Sequence, residues 1–468
     1  MSVLTRGRET RLQPARVAVI GAGHVGLPTA AALVNLGHFV TCAESDPERL
    51  ATLQEGGVPI FEEGLLEALT TGRQAGRLTF VGAAAEAVAG AEFTFLCVPT
   101  PERSDGSADL SFLERAARDI GPHLRSGAIV VNKSTVPVGS TRLVDETIRR
   151  SDITVVSNPE FLREGTAVRD SLHPDRIVVG ADDQNAASRV GALFASTGAP
   201  LVVTDAATAE TIKYVANTFL ATKLSFMNAV AGLCEAVGAD VRDVILGLGY
   251  DRRIGFDFLR PGPGWGGSCF PKDTQALLHI AKDAGFDFPL LRTAIETNER
   301  QVGRIVEKVE HALREQLQLP DIQPVLPGRT VATWGLTFKA GTDDLRESPA
   351  LRVISGVLEA GAAVQAFDPT LPPADLAGQL PPKLCREWRS LRFPDDRLGR
   401  LTVSATAEAA CDGASALLVL TEWDEFRGAD FRAVRTALKV PVIVDARNLL
   451  DPGALRQAGF RYVGVGRP

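Results

Sequence analysis

The chain has 468 residues, 45% of them hydrophobic, and a formal net charge of −7 at pH 7. This length is too great for one hydrophobic core and predicts roughly two to four domains. The acidic balance gives no electrostatic reason to expect nucleic-acid binding, and no apolar run reaches the length of a transmembrane helix.

The cysteines and histidines favour a reducing compartment and give no support for a metal site. Six cysteines, at positions 42, 97, 234, 269, 385 and 411, form no C-x-x-C pair, and the six histidines form no H-x-x-x-H. Neither a disulfide framework nor a zinc site is therefore expected. The segment before the first strand lacks the apolar stretch of a signal peptide. We expect a cytoplasmic protein.

Residues 16–44 predict a strand, a glycine turn, a helix and a second strand. The apolar run RVAVI is typical of a buried parallel strand, and Gly21, Gly23 and Gly26 follow it at G-x-G-x-x-G spacing. These glycines allow a tight turn and a close approach of the backbone to a pyrophosphate. Glu44 ends the second strand, where a carboxylate binds a ribose diol and disfavours a 2′-phosphate. The unit predicts NAD binding; Arg49 either reaches the cofactor or is solvated.

Polar residues then follow three predicted strands. Thr100 follows the strand in EFTFLCVPTP, Thr135 the one in AIVVNKSTVPVGST, and the segment NPEFLREG the one in TVVSNPEFLREGTA. A single threonine in this position is usually a turn residue or a helix cap, but three polar strand ends after a dinucleotide motif favour one shared cleft. Glu160 and Glu164 are four residues apart and are spaced to share a helical face.

A long helix is predicted over residues 205–238, with Asp205 as its cap and Gly238 at its end. Lys213 and Asn217 lie at i, i+4 on this otherwise apolar helix, either as a solvated face or as part of a lined site. Such a helix between two α/β domains is commonly a dimer core. Its apolar residues recur at helical spacing: Ile212, Val215, Phe219, Met227, Val230 and Leu233. Further helices are expected through Arg300.

The stretch PGPGWGGSCFPKDT, residues 261–274, is the strongest candidate for chemistry. Cys269 follows four glycines and precedes Pro271, a residue suited to a first helical turn. A helix N-terminus and the neighbouring Lys272 both favour a thiolate, and Asp273 lies one turn away. An isolated cysteine is more often a buried structural residue. Here the glycines and the charged neighbours favour a nucleophile.

The last third of the chain repeats the pattern of the opening. After a proline-bearing boundary at 309–327, a strand, a glycine and a loop lead into a helix, but Gly335 is not part of a G-x-G-x-x-G. We therefore expect a second Rossmann-like domain with a different, nucleotide-like ligand. Lys339 and Arg447, near strand ends, are candidate phosphate contacts. Residues 371–400 are rich in proline and arginine and predict a surface insertion.

Together, an NAD site, a cysteine nucleophile, a lysine with an asparagine and nearby carboxylates indicate oxidation through a covalent thiol adduct. A primary alcohol loses hydride to give an aldehyde, the thiolate adds, and a second hydride transfer gives a thioester that water hydrolyses. Lys213 and Asn217 would stabilise the oxyanion at each tetrahedral stage.

Seven motifs resemble the UDP-glucose 6-dehydrogenases of the UDP-glucose/GDP-mannose dehydrogenase superfamily: CVPTP, KSTVPVG, SNPEFLREG, PDRIVVG, IKYVANTFLATKLSFMN, GGSCFPKD and FKAGTDDLRES. The resemblance implies an NAD-binding Rossmann domain over residues 1–204, a central helical dimerisation domain over 205–310 and a UDP-sugar-binding Rossmann-like domain over 311–468. The two α/β domains are joined by the long central helix. The implied reaction takes UDP-glucose to UDP-glucuronate with reduction of two NAD.

The resemblance also implies residue roles. Cys269 is the nucleophile, Asp273 its acid/base partner, Lys213 and Asn217 the oxyanion stabilisers, Glu164 an aid to thioester hydrolysis, and Thr135 the residue that orients the water. The implied sugar-nucleotide contacts are Glu160, Phe161, Leu162, Arg163, Glu164, Lys213, Asn217, Arg253, Phe258, Leu259, Arg260, Pro261, Gly262, Gly266, Lys339 and Arg447, with Arg253 and Arg447 crossing a dimer interface. The implied NAD contacts are Gly21, Gly23, Val25, Gly26, Glu44, Arg49, Thr100, Thr135, Glu164, Lys272 and Arg346.

Two positions depart from the family pattern, and three alternatives are open. His24 stands where the family usually has tyrosine, and Trp265 replaces a tyrosine or phenylalanine beside the substrate loop.

GDP-mannose dehydrogenases have the nearest rival cysteine motif, whereas GGSCFPKD argues against enzymes acting on UDP-N-acetylmannosamine. A one-step β-hydroxyacid dehydrogenase would need no thiol, and a catalytically silent nucleotide-sugar-binding protein would keep the fold alone.

Overall fold

The computed structural model describes residues 13–103, 105–375 and 378–467. The expectation about a signal peptide concerns residues 1–12, which lie outside this part. The described chain forms two compact units: the first runs to Ala216 and includes Gln275–Phe286, and the second contains Asn217–Thr274 and the chain from Asp287 onward. Within the described residues, no helix is both long and apolar enough to cross a membrane.

The first unit is built on one sheet. Its strands are β1 (Arg16–Ile20), β2 (Phe39–Ala43), β3 (Leu78–Val81), β4 (Phe93–Leu96), β5 (Ile129–Asn132), β6 (Thr154–Ser157), β7 (Ile177–Gly180) and β8 (Leu201–Thr204). They lie in the order β3-β2-β1-β4-β5-β6-β7-β8. Neighbouring strands are parallel except β6 and β7. The first six strands have the doubly wound order, with the switch between β1 and β4, so the predicted Rossmann fold is confirmed.

Helices cover both faces of this sheet. They are α1 (Gly26–Asn35), α2 (Pro47–Glu55), α3 (Leu65–Gln74), α4 (Ala84–Val88), α5 (Ser111–Ile120), α6 (Ser140–Ile148), α7 (Ala167–Leu172) and α8 (Gln184–Ala192). Two apolar cores result, one on each face, because alternate residues of the buried strands point in opposite directions.

The expected helical face carrying Glu160 and Glu164 is wrong. These residues lie in the loop between β6 and α7, which begins only at Ala167. Pro159 disfavours helical backbone before it, and the Glu160 carboxylate accepts the N–H of Leu162 at 2.6 Å, which closes the loop locally.

The long helix is confirmed as α9 (Ala206–Val237), which passes from the first unit into the second. Asp205 caps it by accepting the N–H of Thr208 at 2.8 Å, and Gly238, with φ 74°, ends it. Three helices follow: α10 (Val241–Gly249), α11 (Phe270–Asp283) and α12 (Pro289–Leu317). Helix α12 continues past Arg300 into residues 309–327, which the sequence predicts as a proline-bearing boundary. The prolines of that segment all follow Leu317, so they do not interrupt the helix.

The second unit contains another parallel sheet. Its elements are β9 (Thr330–Trp334), α13 (Pro349–Glu359), β10 (Ala363–Phe367), α14 (Pro382–Ser390), β11 (Leu401–Val403), α15 (Ala407–Ala410), β12 (Ala416–Val419), α16 (Phe431–Ala437), β13 (Val442–Asp445), α17 (Pro452–Gln457) and β14 (Arg461–Gly464). The order β11-β10-β9-β12-β13-β14 matches that of the first six strands of the first sheet. The predicted second Rossmann-like domain is confirmed.

The interpretation of residues 371–400 as a surface insertion is wrong in part. This segment contains α14, whose Leu384 and Trp388 are fully buried in the core of the second unit. The indole N–H of Trp388 donates to the Pro394 carbonyl at 3.1 Å. Two large apolar residues are enough to bury a short helix, although they give too little periodicity to reveal it from sequence.

Candidate active site

The glycine turn after β1 is shaped by contacts that exclude side chains at two of its three glycines. Gly21 has φ 99°, and a Cβ there would lie 2.6 Å from the Cys97 carbonyl oxygen. A Cβ on Gly26 would overlap the Gly21 carbonyl oxygen, whereas a Cβ on Gly23 would meet no atom within 4 Å. The turn and the start of α1 are therefore closely packed, and the space next to Gly23 is open. This cradle fits the pyrophosphate of a dinucleotide at a helix N-terminus.

Glu44 and Arg49 lie together beside this turn. The Glu44 carboxylate is buried at the end of β2 and accepts the N–H of Asp46 at 2.9 Å. Arg49 donates to the Ala22 carbonyl at 3.1 Å, and its Nε lies 4.0 Å from Glu44. Arg49 thus lies beside the glycine turn, and its contact with the cofactor stays a prediction.

The structure brings the three polar strand ends of the first unit together. Thr100 Oγ1 donates to the Thr135 carbonyl at 2.8 Å, and Thr135 Oγ1 donates to Glu160 Oε1 at 3.5 Å. Three strand ends thus form one polar cluster at the carboxyl edge of the sheet, where open α/β sheets bind ligands.

Glu160 forms a buried ion pair with Lys213. Their side chains are 2.7 Å apart and only 5% and 3% exposed. Burial pushes the pKa of Glu160 upward, but the charge and hydrogen bond of Lys213 and the N–H of Leu162 outweigh this, and the pKa lies below its usual value. Glu160 is therefore an anion at neutral pH.

A second buried lysine lies next to this pair. Lys133 Nζ donates to Asn158 Oδ1 at 3.1 Å, and Asn158 donates to the Val178 carbonyl at 2.7 Å. Burial lowers the pKa of Lys133, while the charge of Glu160 opposes this decrease. Glu160 thus has two lysines beside it, and the charge of each favours its ionised form.

In the second unit, Cys269 stands immediately before α11. Its carbonyl accepts the N–H of Asp273 at 2.9 Å, the first hydrogen bond of the helix. The thiol is half-buried. By contrast, Cys97 is buried, and burial raises its pKa to about 12. Of these two cysteines, only Cys269 combines access with the field of a helix N-terminus, as a reactive thiol requires.

Both oxygens of Asp273 are engaged. Asn217 Nδ2 donates to one at 2.6 Å, and Lys272 Nζ donates to the other at 2.6 Å. Asp273 is fully buried, and Lys272 faces this carboxylate rather than open solvent. Lys213 and Asn217 lie one turn apart on α9. Lys213 contacts Glu160 in the first unit, and Asn217 contacts Asp273 in the second.

Family models match three consecutive parts of the chain. All three are domains of the UDP-glucose/GDP-mannose dehydrogenase family: the NAD binding domain over residues 15–197, the central domain over 207–300 and the UDP binding domain over 332–452. The chain belongs to the UDP-glucose/GDP-mannose dehydrogenase family. The prediction of NAD as the cofactor is thereby confirmed.

Similar members of the UDP-glucose/GDP-mannose dehydrogenase family extend over almost the whole chain. A UDP-glucose 6-dehydrogenase from Pseudomonas aeruginosa is 43% identical over 97% of this chain and 98% of its own. One from Bacillus subtilis is 40% identical over 97% of this chain and 93% of its own. The structure of a UDP-glucose dehydrogenase from Pyrobaculum islandicum matches with a TM-score of 0.84 and 35% identity. The match covers 99% of this chain and 100% of its own.

In the family's UDP-binding domain, the predicted contact Arg447 is held by its own chain. Its guanidinium donates to the carbonyls of Leu420 and Phe338 at 2.8 and 2.9 Å and pairs with Glu422 at 3.0 Å. These contacts hold the guanidinium in place, and the role implied for Arg447 across a dimer interface stays a prediction. Lys339 follows Phe338 directly, so the two candidate phosphate contacts lie in neighbouring segments.

Two other predicted arginines pair with nearby aspartates. Arg346 pairs with Asp344 at 2.7 Å, and the exposed Arg253 pairs with Asp251 at 2.6 Å. The loop that follows, residues 258–262, includes Phe258 with φ 60° and the buried Leu259. These contacts leave Arg253 at the surface of the second unit.

Sequence reasoning missed two residues that support the family's site. Lys133 lies in the KSTVPVG motif, whose pattern alone predicts no separate role for this lysine. Glu62, from the loop before α3, accepts the N–H groups of Gly165 and Ala167 at 2.9 and 2.6 Å. It thereby holds the residues that follow Glu164. No local signal marked Glu62, because its partners stand about a hundred residues away.

Proposed function

We propose that this protein is an NAD-dependent UDP-glucose 6-dehydrogenase that oxidises UDP-glucose to UDP-glucuronate in two steps through a thioester on Cys269. The observation that carries the proposal is the accessible thiol of Cys269 one helical turn from a buried carboxylate, Asp273, bonded to Asn217. A one-step alcohol oxidation needs no such nucleophile. The names of the full-length relatives support UDP-glucose as the substrate.

The first oxidation uses residues of the first unit. The C6 hydroxyl loses its proton to a base as hydride leaves the carbon, which gives the aldehyde. We assign this proton to the ionised Glu160, which Thr135 hydrogen-bonds and Lys213 pairs with; because Lys213 lowers the pKa of Glu160, the carboxylate passes the proton on to water. NAD, held at the glycine turn and Glu44, supplies the acceptor for hydride in each oxidation.

The second oxidation and the hydrolysis centre on Cys269. The thiolate adds to the aldehyde carbon, and the resulting thiohemiacetal loses its second hydride to give a thioester. Lys213 and Asn217 donate to the oxyanion in these stages, and one such donor is worth about 3 kcal/mol. Water then attacks the thioester carbonyl and the thiolate leaves. Asp273 positions this water, and Glu164, at the loop held by Glu62, assists its deprotonation.

A homodimer forms through α9 in this proposal. Phe219, Phe226 and Leu233 recur every seven residues on this helix and are 63%, 61% and 61% exposed, and Val237 adds another exposed apolar side chain. A stripe of this kind suits packing against a second copy of the same helix. Replacing Phe226 with glutamate should yield a monomer by light scattering. The same replacement at Ile322, an exposed apolar residue outside α9, should leave the dimer intact.

A cytoplasmic location completes the proposal. All six cysteines lie among the described residues and none forms a disulfide. Free thiols, including an accessible one at the proposed nucleophile, suit a reducing compartment.

The stoichiometry of NADH tests the reaction. Purified protein is given NAD with limiting UDP-glucose, GDP-mannose or a UDP-N-acetylhexosamine, and NADH is counted per sugar. We expect two NADH per UDP-glucose and slower turnover of the other sugars. One NADH per sugar, or a preference for another nucleotide sugar, would contradict the proposal. Replacing Cys269 with serine should prevent formation of UDP-glucuronate.

A further inference from the structure

The glycine-rich segment before Cys269 has no regular structure of its own. No helix or strand lies between Gly249, where α10 ends, and Phe270, where α11 begins. Gly264 and Gly267 have φ 119° and 81°, values that only glycine adopts readily. A free segment of this composition would populate many conformations, so its single observed path requires other residues to hold it.

Asn298, on α12, holds both backbone groups of Trp265. Its Oδ1 accepts the Trp265 N–H at 2.7 Å, and its Nδ2 donates to the Trp265 carbonyl at 3.0 Å. A Cβ on Gly264 would lie 2.9 Å from the same Oδ1. The amide therefore takes the place that a neighbouring strand has in a sheet, and it does so four residues before Cys269.

Gly262 is held in the same manner by two other amides. Asn228, on α9, accepts its N–H at 2.9 Å, and Gln301, on α12, donates to its carbonyl at 2.8 Å. Both amide side chains are 2% exposed. Their hydrogen bonds are thus shielded from competition with water.

The indole of Trp265 provides a further attachment. Its Nε1 donates to Ser225 Oγ on α9 at 2.9 Å, and Ser225 donates in turn to the Ala294 carbonyl on α12 at 2.6 Å. A phenylalanine in this position could not make this bond. The residue that departs from the family pattern is therefore a buried anchor to the helices.

The opposite side of the segment contacts the second sheet's domain. A Cβ on Gly266 would overlap the Glu347 carbonyl, and one on Gly267 would lie 2.8 Å from the Phe338 ring, next to Lys339. A shift of the segment would therefore change the distance between Cys269 and the residues proposed to hold the UDP group. Because the helices hold one side, this distance is set before substrate binds.

We propose that Asn298 is a positioning residue for the proposed reaction: with Asn228, Gln301 and Ser225 it clamps the backbone of residues 262–265, and so fixes Cys269 relative to the UDP-binding segment. The effect of this clamp on kcat/KM rests on the proposed function. Its effect on the rate at which the Cys269 thiol is alkylated does not. The residues of the clamp bear no charge at neutral pH, so they hold the segment without altering the field at the thiolate.

Asn298→Ala tests the clamp, with Glu299→Ala as the matched control, since Glu299 is the exposed next residue of α12. Asn298→Asp keeps the acceptor for Trp265 N–H and is the conservative variant. We expect Asn298→Ala to lower kcat/KM for UDP-glucose at least tenfold per active enzyme, with KM for NAD unchanged within twofold. The kcat/KM of Asn298→Asp should lie between those of Asn298→Ala and the wild type, and the kcat/KM of Glu299→Ala should match that of the wild type.

A second measurement is independent of the substrate. The rate of alkylation of Cys269 by iodoacetamide, followed by mass spectrometry without ligands, should rise at least threefold in Asn298→Ala, because the segment is no longer held. Equal alkylation rates in wild type and both Asn298 variants would overturn the inference, as would a lower melting temperature with unchanged kinetic constants. If the wild type does not oxidise UDP-glucose, the proposed function fails, and alkylation alone decides the clamp.

Discussion

Asn217 Nδ2 lies 2.6 Å from Asp273 Oδ2, so the asparagine proposed to stabilise an oxyanion is bonded to the carboxylate proposed to position water. The two residues are 56 apart in sequence, and both are buried. The bond orients the amide so that Asn217 presents a fixed donor. The Asp273 carboxylate thus accepts from two donors, the Asn217 amide and the Lys272 ammonium.

Replacing Asp273 with asparagine should slow turnover by about a hundredfold to ten-thousandfold, the range expected for loss of a positioned acid or base. Its amide cannot accept from both Asn217 and Lys272 at the two former oxygen positions. Steady-state NADH formation measures the loss. A variant that keeps more than a tenth of wild-type kcat would show that Asp273 has no such role.

Gly26→Ala and Gly23→Ala should separate packing from cofactor binding. The first places a Cβ inside contact distance of the Gly21 carbonyl and should lower the melting temperature as well as NAD affinity. The second meets no protein atom within 4 Å, so the fold should be retained while the affinity for NAD falls. Calorimetry for NAD and thermal unfolding compare the two. Unchanged NAD affinity in Gly23→Ala would place the pyrophosphate elsewhere.

Acid should remove stability that depends on Glu160. Its folded pKa lies below the usual value, so the ion pair with Lys213 stabilises the fold fully above the pKa of an unfolded glutamate, about 4.3. This contribution is lost as pH falls through the folded pKa. The difference in unfolding free energy between wild type and Glu160→Gln, from urea titrations between pH 3 and 7, should therefore shrink on acidification. A difference that grows would contradict a lowered pKa of Glu160 in the folded protein.

Glu62→Ala should slow hydrolysis of the thioester more than its formation. The loss of acceptors for Gly165 and Ala167 releases the loop that carries Glu164. Intact mass spectrometry during turnover should detect a UDP-glucuronyl adduct on Cys269 at a higher occupancy than in wild type. The adjacent exposed Glu63 provides the control variant, Glu63→Ala, which should show wild-type occupancy. Equal occupancy in all three proteins would exclude a role for Glu62 in this step.

Local patterns predicted the features that depend on neighbouring residues. The glycine turn, the Asp205 cap and the end of α9 at Gly238 follow from turn and capping chemistry over a few residues. Alternation of apolar strands with helices predicted both Rossmann domains. Local spacing was misleading for Glu160 and Glu164, because Pro159 and the Glu160 carboxylate close a loop where i, i+4 spacing suggested a helix.

The sequence by itself therefore determined the two strand-and-helix domains, the dinucleotide turn and the candidate thiol, since these depend on patterns over a few residues. Only the tertiary structure showed that Glu160 pairs with Lys213, that Glu62 holds the loop after Glu164 and that Asn298 clamps Trp265. Such pairs join residues from 33 to 105 positions apart. Their partners are selected by which strand ends and helices the fold packs together, and single-sequence spacing contains no record of that choice.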